Sequence, residues 1–176
     1  MKQHQKGVTA LELMVTMAVV AILLATSIPA LKNYSWNLRM KTAIDTLQSD
    51  LHLARGYAIS HNIQTVICPA VSADDCYGFP DWENGWIVFS DLNGDRQKQA
   101  GEPLLKHAGA TEFINISSSR SRSYLRFYPN GTAPGSNLSI LFCDQRGAEY
   151  AGKIMVSNSG RIRSETSGTD PTENCP

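Results

Sequence analysis

Residues 6–31 read KGVTALELMVTMAVVAILLATSIPAL, and this stretch decides how the rest of the chain is read. From Val8 to Ile28 the only charged side chain is Glu12. As a helix rising about 1.5 Å per residue, such a run spans the apolar core of a bilayer. Lys2 and Lys6 precede it and favour a cytoplasmic N-terminus. The rest of the chain then lies on the far side of the membrane, where disulfides form. A secretory signal is the first competing reading, with Ala25-Thr26-Ser27 as its cleavage site, but the apolar run is long for one. A plain membrane anchor is the second. Neither gives a reason for Glu12. A carboxylate inside an apolar helix is costly in lipid and marks a functional position. A charged amine freed by cleavage just upstream is a fitting partner.

The stretch resembles the prepilin signature of type IV pilins and type II secretion pseudopilins. In that family a prepilin peptidase cuts after a glycine, here Gly7, and the new first residue, here Val8, is N-methylated. Threonine often follows, as Thr9 does. The fifth mature residue is glutamate and the twenty-second is commonly proline, positions held here by Glu12 and Pro29. Valine departs from the usual phenylalanine at the first mature position. In a filament, the glutamate of one subunit can neutralise the amine of a neighbour in a low-dielectric core, so the pair rewards correct register. Loss of the leader removes Lys2 and Lys6 and tips a chain with 16 basic and 16 acidic residues towards negative charge.

Pro29 is expected to kink or break the helix. Beyond it, Met40, Ile44, Leu47, Leu51, Ala54 and Ala58 recur at spacings of four and three, one apolar helix face. Arg39, Lys41, Asp45, Asp50 and Arg55 are read as lying mostly off that face. Asn62 is the expected stop. From residue 63 the pattern changes to short apolar and β-branched runs between turns. Strands are expected at 64–68, 85–90, 103–107, 113–117, 124–128, 138–143, 153–157 and 161–164. The expected fold is α+β: a long N-terminal helix, half transmembrane and half amphipathic, packed on an antiparallel β-sheet domain. The segments are a leader at 1–7, a transmembrane and filament-core helix at 8–30, an amphipathic half-helix at 31–62, a β domain at 63–164 and a polar tail at 165–176.

Four cysteines allow three pairings. Cys68–Cys76, closing a short loop, and Cys143–Cys175, pinning the tail, are favoured. In a reducing compartment the four would be free thiols.

Three further runs, LQSDLHLARGYAISHNIQTVICPA, WENGWIVFSDLNGDRQKQAGEPLL and VSNSGRIR, resemble the FimT/GspH group of minor pilins and pseudopilins. The likeness extends over nearly the whole chain. In FimT-type proteins a Gly-Arg-x-Arg motif near the C-terminus is associated with DNA binding during natural transformation, which implies that role for Gly160, Arg161 and Arg163. In a strand the two arginines share a face, about 7 Å apart, a spacing suited to successive phosphates. The residues alone also fit a charged edge strand that deters aggregation. Arg120, Arg122, Arg126, Arg146 and Lys153 extend the patch if they share that face. Binding through it would be salt-sensitive and blind to sequence. The resemblance implies several partners: the prepilin peptidase, other major and minor pilins, the inner-membrane assembly platform and double-stranded DNA. It also implies a course from the inner membrane, with a periplasmic globular domain, to the pilus fibre. A pseudopilin of a type II secretion system, with no DNA role, shares the same N-terminal chemistry. A membrane-anchored binding module that never assembles is a third reading, and it makes Glu12 dispensable.

Asp91, Asn93, Asp95 and Glu102 imitate a calcium loop, but Arg96 stands at its glycine position and Lys98 adds positive charge. The loop is read as a surface turn and no metal is expected. His4, His52, His61 and His107 have no metal-ligand spacing. No nucleophile elbow or phosphate-binding glycine loop occurs. No cofactor and no enzymatic activity are expected. Trp82 and Trp86 read as packing residues.

Overall fold

The computed structural model describes residues 7–119, 122–166 and 175. The chain divides into two compact units, Met1–Leu38 and Arg39–Pro176. Helix α1, Ala10–His61, contributes to both.

In the first unit, Thr9 caps the helix. Its hydroxyl accepts the backbone N–H of Glu12 at 3.3 Å, and its carbonyl accepts that of Leu13 at 3.1 Å. Thr9 and Glu12 have the spacing of a capping box, and Gly7 and Val8 lie outside the helix. Leu11, Met14, Ile22 and Leu31 are exposed. The helix is long and apolar enough to cross a membrane. Its few hydroxyls are satisfied within it: Thr16, Thr26 and Ser27 donate to carbonyls three or four residues back, as lipid requires. The expected break at Pro29 does not occur, and α1 is continuous through it. A proline removes one N–H from the ladder, and the bonds on either side carry the helix on.

In the second unit, Met40, Ile44, Leu47, Leu51, Ala54 and Ala58 of α1 are buried, as their spacing requires. Asp50 is a correction. It is buried with them and accepts the indole N–H of Trp86 at 2.8 Å. One turn after Leu47, it borders the apolar stripe, and the indole supplies the donor that a buried carboxylate needs. Asn62, at φ 56°, ends the helix, and the N–H of Ile63 donates to the carbonyl of Ala58 in a Schellman closure.

Eight strands follow: β1 Thr65–Pro69, β2 Trp86–Ser90, β3 Leu104–Ala108, β4 Asn115–Ser118, β5 Leu125–Phe127, β6 Leu138–Cys143, β7 Gly152–Val156 and β8 Ile162–Thr166. Each overlaps its expected run. They form two antiparallel sheets, ordered β3-β2-β1-β5 and β4-β6-β7-β8. The main core lies among α1, Ile67, Trp86 and Val88 of the first sheet and Ile116, Ile140, Phe142 and Ile154 of the second. On the other face of the first sheet, Val66, Cys68, Ile87 and Phe89 form a smaller cluster, so β1 and β2 are buried on both faces. Disulfides join Cys68 to Cys76, beside that cluster, and Cys143 to Cys175, tying the chain end to β6.

Candidate nucleic-acid interface

Arg161 and Arg163 lie on the hairpin of β7 and β8. The turn closes where the N–H of Gly160 donates to the carbonyl of Ser157 at 2.8 Å, and that of Ser157 to the carbonyl of Arg161 at 3.0 Å. Arg161 therefore stands at the mouth of the turn, one residue before β8, and not inside a strand. Gly160 has φ 75°, and a Cβ there would collide with the carbonyl oxygen of Gly131. The same oxygen accepts Nε of Arg55 at 2.9 Å. From a third side, Asn137 accepts the N–H of Asn158 at 3.1 Å. Gly160 thus shapes and braces the hairpin from within, buried itself. Arg55, Gly131 and Asn137 are supports that local sequence patterns did not single out.

Register decides which side chains share a face. Gly152, Ile154 and Val156 of β7 point into the core, so Lys153 and Met155 point out. Arg163 is opposite Met155, and Glu165 is opposite Lys153. Arg161 follows on the same side, with Ser157 across from it. A groove of about 290 Å³ is lined by Asn137, Ser139, Met155, Ser157, Arg161 and Arg163, among others. It combines two cations, hydroxyl and amide groups and one thioether.

The other basic residues are placed differently. Arg120 lies outside the described residues. Arg122 follows β4, its main chain bonded to Ser118 and Ser119. Arg126 is on β5 of the other sheet, its guanidinium 4.7 Å from the Tyr128 ring and bonded to Gln64. Arg146 is held by Asp144 at 2.7 Å and lies 4.3 Å from the Tyr150 ring. Lys153 shares the outer face with the pair, facing Glu165. Arg39 and Arg96 also stack on rings, those of Phe113 and Tyr124. Arg161 and Arg163 are exposed, and among the described residues no side-chain bond, ion pair or ring contact holds either one. Their charge is open to a ligand.

The 91–102 loop is closed on itself. Asp91 accepts the N–H groups of Gly94 and Arg96 at 2.8 and 3.2 Å. Glu102 accepts those of Leu92 and Gln99 at 2.8 and 3.0 Å. Burial pushes the Asp91 carboxyl above its ordinary 3.8, and Glu102 and Asp95 add repulsion; the two N–H donors pull the other way. Among the described residues, no group of three or more His, Cys, Asp or Glu is arranged to hold a metal. Trp82 and Trp86 are fully buried, as packing residues are.

Residues 43–160 match the family model for the type II transport protein GspH. The chain belongs to the GspH family. No curated protein matches it. Three solved structures share its fold. The type IV minor pilin FimU of Pseudomonas aeruginosa PAO1 matches with a TM-score of 0.61 and 19% identity, over 78% of this chain and 98% of FimU. A second crystal form of FimU gives 0.57 and 20%, over 74% and 98%. The minor pseudopilin EpsH from the type 2 secretion system of Vibrio cholerae gives 0.53 and 10%, over 77% and 99%. At these identities the likeness is one of fold. This GspH-family chain has the fold shared by the type IV minor pilin FimU and the type 2 secretion pseudopilin EpsH. Its relatives are structural pilins, and the family implies assembly with other pilins or pseudopilins. With the apolar helix, it also implies membrane anchoring of a soluble globular domain.

Proposed function

We propose that this chain is a minor type IV pilin that binds DNA for uptake through Arg161 and Arg163. It enters the inner membrane as a prepilin with the leader 1–7 in the cytoplasm. The prepilin peptidase cuts between Gly7 and Val8, Val8 is N-methylated, and Glu12 meets a neighbour's amine as the helix joins the filament. The segments 8–30, 31–62, 63–164 and 165–176 then act as filament core, helical spine, β domain and tethered tail. The observation that carries the DNA reading is the contrast among arginines. Arg126 and Arg146 are occupied by protein partners, whereas Arg161 and Arg163 are exposed on one face of a braced hairpin. Phosphates are the anions that such a pair suits best.

The test is a titration of labelled duplex DNA into a form lacking residues 1–35. Two phosphate contacts predict about a tenfold loss of affinity between 50 and 200 mM salt. No binding at low salt leaves the second reading, a type II secretion pseudopilin, which the family description and the EpsH fold favour. Assembly is tested separately. Glu12→Ala is expected to abolish incorporation into filaments, and normal incorporation would contradict the pairing of Glu12 with a subunit amine.

A further inference from the structure

Four arginines of the second unit lie over aromatic rings. Arg39, Arg96, Arg126 and Arg146 stand above Phe113, Tyr124, Tyr128 and Tyr150, between 4.3 and 5.0 Å from the ring centres. Arg161 and Arg163 lie over no ring. Among the described residues, two exposed rings likewise carry no cation: Tyr77, 47% exposed, and Phe79, 57% exposed. They stand together in the connection between β1 and β2, with centroids 4.9 Å apart. The connection is held in place where Cys76 joins Cys68 and the N–H of Tyr77 donates to the carbonyl of Pro69 at 2.7 Å. Its sequence over residues 70–85, AVSADDCYGFPDWENG, holds four carboxylates and no Lys, Arg or His. Glu83 is used inside the fold, accepting the N–H of Ile116 at 3.3 Å. Asp74 and Asp75 are exposed, and among the described residues neither has an ion-pair partner. Open ring faces beside open carboxylates suit a guanidinium.

The open rings and the open arginines lie on opposite edges of the second sheet. Asp81 is bridged to Ser117, and the N–H of Ser118 donates to the carbonyl of Pro80 at 2.9 Å, so the end of the aromatic loop runs outside β4. Arg163 is on β8, the other edge. One row across the sheet runs through Arg163, Met155, Ser139 and Ser119. Phe79, two residues before Asp81, stands at the far end of that row. Four strand spacings of about 4.8 Å separate the edges, about 19 Å in all, too far for side chains of one chain to meet. A second copy set beside the first brings the two edges together. We propose that this is a docking contact between copies, in which Arg161 and Arg163 of one chain stack on Tyr77 and Phe79 of the next, beside its Asp74 and Asp75. Charge complementarity selects the occupant: the loop has no base of its own, and the arginine pair has no carboxylate partner among the described residues. Each copy offers one edge and uses the other, so the contact is heterologous and builds rings or filaments. It does not rest on DNA binding, because the arginines need only the loop.

The experiment mixes two forms of the full chain in neutral detergent micelles, at low salt and without DNA. The donor carries photoreactive benzoylphenylalanine at position 79 or 92, and the acceptor is isotope-labelled so that adducts between copies are recognised by mass. Leu92 is the control, an exposed apolar residue in the 91–102 loop. Irradiation is expected to join position 79 to residues 157–163 of the acceptor, and position 92 to none of them. Arg161→Gln/Arg163→Gln in the acceptor, which removes no bond within the fold, is expected to cut the adduct about tenfold, the loss of two exposed cation–ring contacts. Arg161→Glu/Arg163→Glu in the acceptor is expected to abolish it, and Asp74→Lys/Asp75→Lys in the donor to restore it. Overturning results are no adduct between copies at 79, an adduct to 157–163 that survives the arginine replacements, equal adducts from 92, or a charge swap that restores nothing.

Discussion

Two charged connections in the β domain, the 91–102 loop and the 157–163 hairpin, differ in where their charges go. In the first, which joins β2 to β3, Asp91 and Glu102 take up four backbone N–H groups of their own loop. In the second, the backbone closes through its own turn, braced by Gly131 and Asn137, and both arginine side chains are left outside. The first arrangement uses charge to build a loop, and the second builds a loop to display charge. Charge content alone does not separate them; what each charged group touches does.

Substitutions break or sharpen that contrast. The largest effect is expected from Gly160→Ala, which places a Cβ against the Gly131 carbonyl at a positive φ. A loss of about 2–4 kcal/mol in chemical unfolding is expected, with the arginine pair displaced as well. Asp91→Ala comes next. It leaves the N–H groups of Gly94 and Arg96 without acceptors at a buried position, costing about 2–3 kcal/mol. Asp91→Asn keeps one acceptor and costs about 1 kcal/mol at low pH, but it also changes the pH dependence. Because burial raises the Asp91 carboxyl above 3.8, the folded chain holds that proton where the unfolded chain has released it. Its stabilising contribution is thus greatest below about 3.8 and declines as pH rises through the folded value. The stability difference between the wild type and Asp91→Asn, measured by urea unfolding from pH 3 upwards, is expected to shrink with rising pH. The smallest effect is expected from Arg161→Gln/Arg163→Gln. Neither side chain has a partner to lose, so stability is expected to stay within about 0.5 kcal/mol.

Much of the fold was legible because it is written in periodicity. The spacing of Met40, Ile44, Leu47 and Leu51 gave the helix face, and β-branched runs between turn residues located all eight strands. The division into two sheets was not legible, because strand neighbours such as β1 and β5 are brought together by long-range pairing. Asp50 was read as a surface residue because its donor, Trp86, is 36 residues away. At the site, Gly160, Arg161 and Arg163 were legible through their resemblance to a motif. The separation of occupied from open arginines was not: Arg126 meets Gln64 across 62 residues. Arg146 was the exception, since Asp144 and Tyr150 lie within one turn of chain and their pairing was open to a local reading.

The most direct measurement is duplex DNA affinity for two double variants side by side at low salt, Arg161→Gln/Arg163→Gln and Arg126→Gln/Arg146→Gln. Each removes two positive charges, so bulk charge is matched. The account predicts that binding is lost in the first pair and nearly retained in the second. Equal weakening in both would mean that DNA senses only total charge, and would contradict the assignment of the interface to the hairpin.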